Sequence, residues 1–239
     1  MTDREPKHGL SWPRLLQGTL VRRYKRFLAD VKLRNGRLVT AHCPNSGSMR
    51  TCSEPGRTVY LSTHDRTNRK LRYTWELIRM PGSLVGVNTL VPNRLVRLGA
   101  EKGWIPELSG YTTVRPEVKY GTGSRVDLLL ERPGERCFVE VKNCTLVEGG
   151  AASFPDAVTT RGLKHLLELQ NQVRAGDRAV MFFLIQRMDA ECFSPADSID
   201  PDYGRELRKA VATGVETLAY DVDIDLEGIR LNNSVPCRL

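Results

Sequence analysis

The chain has 239 residues, of which 40% are hydrophobic and 27% charged, the make-up of a soluble globular protein with one large or two small domains. No apolar run approaches membrane-spanning length and Met1 to Gly9 lacks the apolar stretch of a signal peptide, so a cytoplasmic protein is expected. The net charge of +8 is uneven: residues 1–85 hold 17 Lys/Arg against 6 Asp/Glu, whereas 86–239 hold 19 against 22. This is a field that points to a polyanion and away from a membrane surface, since no basic amphipathic helix is visible.

Residues 1–85 read as a basic domain of short strands. Leu15 to Leu33 forms one long extended stretch, Asn35-Gly36 signals a hairpin turn, and Arg37 to His42 follows as a second strand. Further strands are expected at Thr58–Ser62 and Leu71–Ile78. Four or five short strands with turns between them suggest an OB-like β-barrel. Two stretches interleave cations with aromatics: Arg22, Arg23, Tyr24, Lys25, Arg26 and Phe27, and then Arg69, Lys70, Arg72, Tyr73 and Trp75. Barrels of this kind bind a nucleic-acid strand by stacking bases on aromatics while cations follow the phosphates, although each aromatic taken singly could equally be core. The loop Pro44 to Met49 could offer N–H groups to a phosphate, but its local chemistry favours a long turn.

Residues 86–239 change character. A helix is expected from Pro92 to Lys102 and strands at Val114–Tyr120, around Asp127 and around Glu140. A loop at Gly149 to Ser153, a helix from Ala157 to Ala175 and a buried strand at Ala179–Gln186 follow. The end of the chain holds a helix near Asp202–Thr213 and a strand at Val215–Tyr220. The six cysteines include no CxxC pair and read as reduced, packed thiols.

The most informative residues lie in the two central strands. Asp127 stands thirteen positions before Glu140, with the turn Arg132-Pro133-Gly134-Glu135 between them, so a hairpin can bring the two acids together. Glu140 and Lys142 are two apart and point to one face. The flanking runs are apolar on both parities, as in a strand covered on both sides. A carboxylate there is costly unless it is paired or metal-bound, and a cation would relieve the repulsion between two of them. Asp127 and Glu140 are therefore candidate ligands of Mg²⁺ or Mn²⁺, and Lys142 a candidate water-positioning group. On the next helix, Arg161 and His165 share a polar face that either meets this site and holds a phosphate or is merely solvated.

The order helix, three strands, helix, strand and the D…ExK residues resemble the PD-(D/E)XK nuclease core. That resemblance implies Asp127 and Glu140 as metal ligands and Lys142 on the water side. The acid often supplied by the first helix has only Glu101 and Glu117 as substitutes. A second resemblance spans nearly the whole chain. Tyr24 to Val31, His42 to Met49, Tyr73 to Leu77, Glu117 to Gly121, Ser124 to Asp127, Val139 to Asn143, Phe154 to Thr159 and Arg161 to Leu166 are similar to the sugar fermentation stimulation protein family, with Ser46 in place of a more usual Thr. It implies an OB-like domain (1–85) joined to a nuclease-like αβββαβ domain (86–239), DNA binding and a link to sugar, notably maltose, metabolism. Two functions follow as expectations: a metal-dependent phosphodiesterase acting on nucleic acid, or a DNA-binding regulator of sugar metabolism without turnover.

Overall fold

The structure is a computed structural model that describes residues 8–64, 70–121 and 123–239. Its first half contains β1 (Gly9–Ser11), β2 (Leu15–Tyr24), β3 (Leu28–Leu33), β4 (Leu38–His42), β5 (Thr58–Thr63), β6 (Tyr73–Met80) and β7 (Ser83–Gly86). Strands β2, β3 and β4 form a meander, β5 pairs with β2, β6 pairs with β5, and a parallel contact between β4 and β6 closes the five-stranded barrel. This is the OB topology. Alternate residues of each strand fill the barrel, among them Leu20, Val31, Ala41, Val59, Leu61 and Trp75. Trp75 is therefore core, with its indole N–H donated to the Leu77 carbonyl at 2.9 Å.

The long extended stretch expected from Leu15 to Leu33 is broken. Tyr24 pairs with Leu28 around a turn of Lys25, Arg26 and Phe27, in which Lys25 (φ 48°) and Arg26 (φ 61°) are left-handed. No Gly, Asn or Pro marks that turn, so the sequence reads through it.

The second half runs α1 (Leu90–Glu101), β8 (Thr113–Tyr120), β9 (Ser124–Arg132), β10 (Glu135–Cys144), β11 (Leu146–Glu148), β12 (Ala151–Phe154), α2 (Thr160–Arg174), β13 (Arg178–Ile185), β14 (Cys192–Pro195), α3 (Pro201–Thr213), β15 (Glu216–Ile224) and β16 (Gly228–Ser234). Seven strands form a mixed sheet in the order β1-β16-β15-β13-β10-β9-β8, with β10, β13 and β15 parallel. Helix α1 packs on one face, against Val139, Val141 and Phe182. Helices α2 and α3 cover the other, against Phe138, Met181 and Phe183. The alternation of these neighbours is the two-residue strand period at work.

Three further differences from the sequence reading have local causes. The stretch Gly149 to Ser153, expected as a loop, is the turn and return strand of a β11–β12 hairpin, with Gly149 and Gly150 at φ 56° and 80°. Helix α2 starts at Thr160, not Ala157, because the Thr159 hydroxyl caps the Gly162 N–H at 3.0 Å. Strand β1 lies on the outer edge of the C-terminal sheet, paired with β16, although it precedes the barrel in sequence. All six cysteines are free and five are buried; burial pushes the Cys52 and Cys137 thiols up to about 12. No helix among the described residues is long and apolar enough to cross a membrane.

The two halves share a core. Tyr60, Leu77 and Leu84 of the barrel join the cluster that includes Leu95 and Val139. Buried Arg187 pairs with Asp189 at 2.6 Å and donates to Thr51 Oγ1 at 3.2 Å and to the Thr145 carbonyl at 3.0 Å, which ties the barrel to the end of β10.

Candidate functional site

Strands β9 and β10 are in register from Arg132↔Glu135 to Leu128↔Val139, and the ladder stops one residue before Asp127 would face Glu140. Its place is taken by a side chain. The Val141 N–H donates to Asp127 Oδ2 at 2.8 Å, so the carboxylate substitutes for a strand carbonyl and the two strands part there. Asn93, in the first turn of α1, donates to Asp127 Oδ1 at 2.7 Å.

Glu140 is 2% exposed. Its Oε1 accepts from Lys142 Nζ at 2.6 Å and contacts His165 Nδ1 from α2. Arg161 Nε, one helical turn back, donates to His165 Nε2 at 3.3 Å. An Nδ1–H tautomer of His165 satisfies both contacts. Asp127, Glu140, Lys142, His165 and Arg161 thus meet at one place, and the polar face of α2 is turned toward the strands. Lys142 also lies 3.2 Å from His165 Nδ1.

The two acids are pushed in opposite directions. Burial, reinforced by the charge of Glu140, raises Asp127 to about 6. Burial acts on Glu140 in the same sense, but the Lys142 charge and the contacts with His165 and Lys142 outweigh it and hold that carboxyl below its ordinary range. Glu140 Oε2 is buried without a hydrogen-bond partner, and so is the hydroxyl of Tyr120, which stacks on Phe138 at 5.7 Å. Burial and the charges of Glu140, Glu168 and Asp127 raise the Tyr120 phenol, which keeps it a hydrogen-bond donor.

These features fit a divalent cation. An orphaned buried carboxylate oxygen and a neighbouring carboxylate destabilised by burial and repulsion are both relieved by positive charge. Among the described residues no group of three or more His, Cys, Asp or Glu is placed to hold a metal. Two carboxylates with the other positions left to water and phosphate oxygens is the habit of Mg²⁺ and not of a closed protein cage. The candidates for a further acid do not join the pair. Glu101 is bound to Arg97 at 2.7 Å, about 12 Å along α1 from Asn93. Glu117 falls opposite Asp127 in the β8–β9 register, but its left-handed backbone (φ 56°) interrupts the ladder and its side chain is exposed. The position on α1 that reaches Asp127 carries an amide, Asn93.

The proposed nucleic-acid residues of the barrel separate into different environments. Arg23 is structural: its guanidinium donates to the carbonyls of Arg26, Asn45, Gly47 and Ser48 at 2.8–3.2 Å, so it staples the Pro44–Met49 loop to the β2–β3 turn. That loop points carbonyls at a cation, and the Met49 N–H is taken by Asp156 at 3.1 Å, so it is a docked turn. Arg23→Ala should lower stability by about 2 kcal/mol, the range for charged hydrogen bonds, read as a drop of several degrees in Tm. An unchanged Tm would show that the loop holds itself. Arg22 pairs with Asp30 at 2.8 Å and lies over the Tyr24 ring at 4.7 Å, while Tyr24 donates to Asp30 at 3.2 Å. Lys25, Arg26, Lys70 and Arg72 are exposed, and Arg69 lies outside the described residues.

Sequence reasoning missed Asn93 and Tyr120 as neighbours of the site. Tyr120 does fall in the Glu117–Gly121 motif, whereas Asn93 carries no local signal.

A sequence profile described as the sugar fermentation stimulation protein RE domain matches residues 90–228, and one described as the SfsA N-terminal OB domain matches residues 21–87. The chain belongs to the sugar fermentation stimulation protein family. A family member from Geobacter sulfurreducens, named sugar fermentation stimulation protein homolog, is 61% identical over 222 residues, covering 93% of this chain and 95% of the relative. Another of that name, from Paramagnetospirillum magneticum, is 51% identical over 218 residues, covering 91% of this chain and 92% of its own. Among solved structures, that of Pyrococcus furiosus SfsA in complex with Ca²⁺ matches with a TM-score of 0.89 at 27% identity, covering 98% of this chain and 100% of that one.

Proposed function

We propose that the chain is a metal-dependent phosphodiesterase that acts on nucleic acid, DNA in the first instance. The observation that carries the reading is the buried Glu140, with one oxygen held by Lys142 and His165 and the other unpartnered, beside an Asp127 raised to about 6. Asp127 and Glu140 are the residues that would hold Mg²⁺ or Mn²⁺; the Ca²⁺ in the Pyrococcus furiosus relative supports a divalent cation in this family without deciding which. A bound ion of this kind polarises a phosphodiester and lowers the pKa of a coordinated water. Lys142, anchored by Glu140, orients the attacking water. His165 fixes the Glu140 carboxylate, and exposed Arg161 at the start of α2 neutralises phosphate charge. The basic barrel supplies sequence-independent affinity for the strand.

Labelled single-stranded, duplex and branched DNA, and RNA, incubated with Mg²⁺ or Mn²⁺ and in parallel with a chelator, test the reading. Cutting that needs the metal supports it. The amide at Asn93, where an acid would complete the ligand set, favours the second reading, a DNA-binding regulator of sugar metabolism that does not turn over. Under that reading no substrate is cut, and native-gel shifts persist and fall steeply with salt.

A further inference from the structure

Two buried polar atoms at the strand site lack a partner, and their chemistries are complementary. An ionised Glu140 Oε2 takes only a hydrogen-bond donor or a cation, whereas the Tyr120 hydroxyl carries a proton to donate. Tyr120 is 8% exposed and its ring stacks on Phe138 at 5.7 Å. Phe138 stands two residues before Glu140 on the same face of β10. Phenylalanine at position 120 would keep that stack without the cost of a buried, unpaired hydroxyl. Packing alone therefore does not explain the tyrosine.

Helix α2 brings a third acid to the same corner. Glu168 follows His165, the residue that contacts Glu140, by one helical turn and is 6% exposed. Its carboxylate lies against Gly121, the residue after Tyr120, so closely that a Cβ there would collide with it. Besides burial, the groups that act on the Tyr120 phenol are Glu140, Glu168 and Asp127. One phenol thus sits among three carboxylates, while the Lys142 ammonium holds the opposite oxygen of Glu140.

Among the described residues no three acids are placed to bind one ion directly, so Tyr120 reaches an ion only through its water. Mg²⁺ keeps several waters when one or two carboxylates bind it, and groups that hydrogen-bond a metal's ligands tune its affinity. A second orphaned phenol supplies the contrast. Tyr203 is fully buried and its hydroxyl is also unpartnered, but the groups that act on it are Cys144, then Glu140 and Asp200. Its ring lies edge-on to Phe154 at 5.2 Å and close to Gly162.

We infer that Tyr120 is a further residue of the metal site, its hydroxyl hydrogen-bonded to a water of the divalent ion that Asp127 and Glu140 hold. It is a positioning residue, since it acts through that water. The inference rests on the proposed function for the presence of the ion and not for cutting.

The test uses the full chain without DNA. Mn²⁺ is titrated into wild type, Tyr120→Phe and Tyr203→Phe, with the free ion followed by electron paramagnetic resonance, and the proteins are also melted in chelator. Tyr120→Phe should bind Mn²⁺ roughly ten- to a hundredfold more weakly than wild type, and Tyr203→Phe should bind it as wild type does. In chelator Tyr120→Phe should melt at the wild-type temperature or up to about 4 °C above it, because an unpaired hydroxyl has been removed. Unchanged Mn²⁺ affinity in Tyr120→Phe overturns the inference even if wild type cuts DNA. So does a chelated Tyr120→Phe that melts several degrees below wild type, which would make the hydroxyl part of the fold, or an equal loss of Mn²⁺ affinity in Tyr203→Phe, which would make the effect one of packing. Wild type that binds no Mn²⁺ removes the metal reading and the inference together. The expected loss in Tyr120→Phe alone supports the inference even if no DNA is cut, since only the catalytic reading then fails.

Discussion

Lys142→Met is expected to cost about 3 kcal/mol at neutral pH, a Tm lower by roughly 6–12 °C, and to reduce metal-dependent cutting about a hundredfold or more. The stability loss follows from what is left behind. Glu140 is 2% exposed and its Oε1 rests on Lys142 at 2.6 Å and on His165. Removing the ammonium leaves a buried carboxylate with His165 alone, and burial then drives its pKa up. The sign of the pH dependence follows. In wild type the depressed Glu140 contributes stability above its unfolded pKa, and this is lost as pH falls through the folded value. In the variant burial raises the same carboxyl, so its ionised form costs stability at pH 7 and less as it protonates; the Tm gap should be widest near pH 7, narrow toward pH 5 on that account, and close further only below about pH 4.5, where the wild-type contribution is lost. Thermal unfolding of both proteins at the two pH values measures it. A gap that does not change with pH would mean that Lys142 contributes through packing and not through charge.

Asp127→Asn should act in the opposite sense on stability. With metal removed, Asp127 titrates at about 6 in the folded protein, against about 4 in the unfolded chain. Its contribution is therefore fully favourable below the unfolded pKa and is lost as pH rises through about 6. At pH 7 the ionised carboxylate costs roughly 2–3 kcal/mol at 1.36 kcal/mol per unit. Asparagine removes the charge while its carbonyl can still accept the Val141 N–H. The chelated variant should thus be more stable than chelated wild type at pH 7, with a flatter pH profile between 4 and 7. Adding Mn²⁺ should stabilise wild type, by linkage, and leave the variant where it was. Identical pH slopes in the two proteins would remove Asp127 as the group under strain.

The parts of this site that the sequence discloses depend on short-range geometry. The two-residue strand period places Glu140 and Lys142 on one face with Phe138, and the Pro-Gly turn sets the hairpin length that brings Asp127 to them. The three- and four-residue helix spacing couples Arg161 to His165. What the sequence conceals depends on distant partners or on unmarked backbone. The donors of Arg23 are spent on carbonyls more than twenty positions away, so a residue that looks like a phosphate contact is a staple. Asn93 is an ordinary helix residue until α1 is laid against β9. The turn at Lys25 and Arg26 uses left-handed residues without glycine, so the stretch reads as continuous strand and the exposure of Phe27 cannot be foreseen. The β1 strand joins a sheet whose other strands follow the barrel, because its partner β16 is more than two hundred residues away.

The most direct measurement is a denaturing gel of labelled DNA strands with Mn²⁺, comparing wild type with Asp127→Asn at concentrations where both bind the strand equally on a native gel. Cutting by wild type, reduced on the order of a thousandfold in the variant with binding unchanged, is the expected result; it corresponds to about 4 kcal/mol of barrier. Equal cutting by both proteins would contradict the assignment of Asp127 and Glu140 as the metal-holding pair.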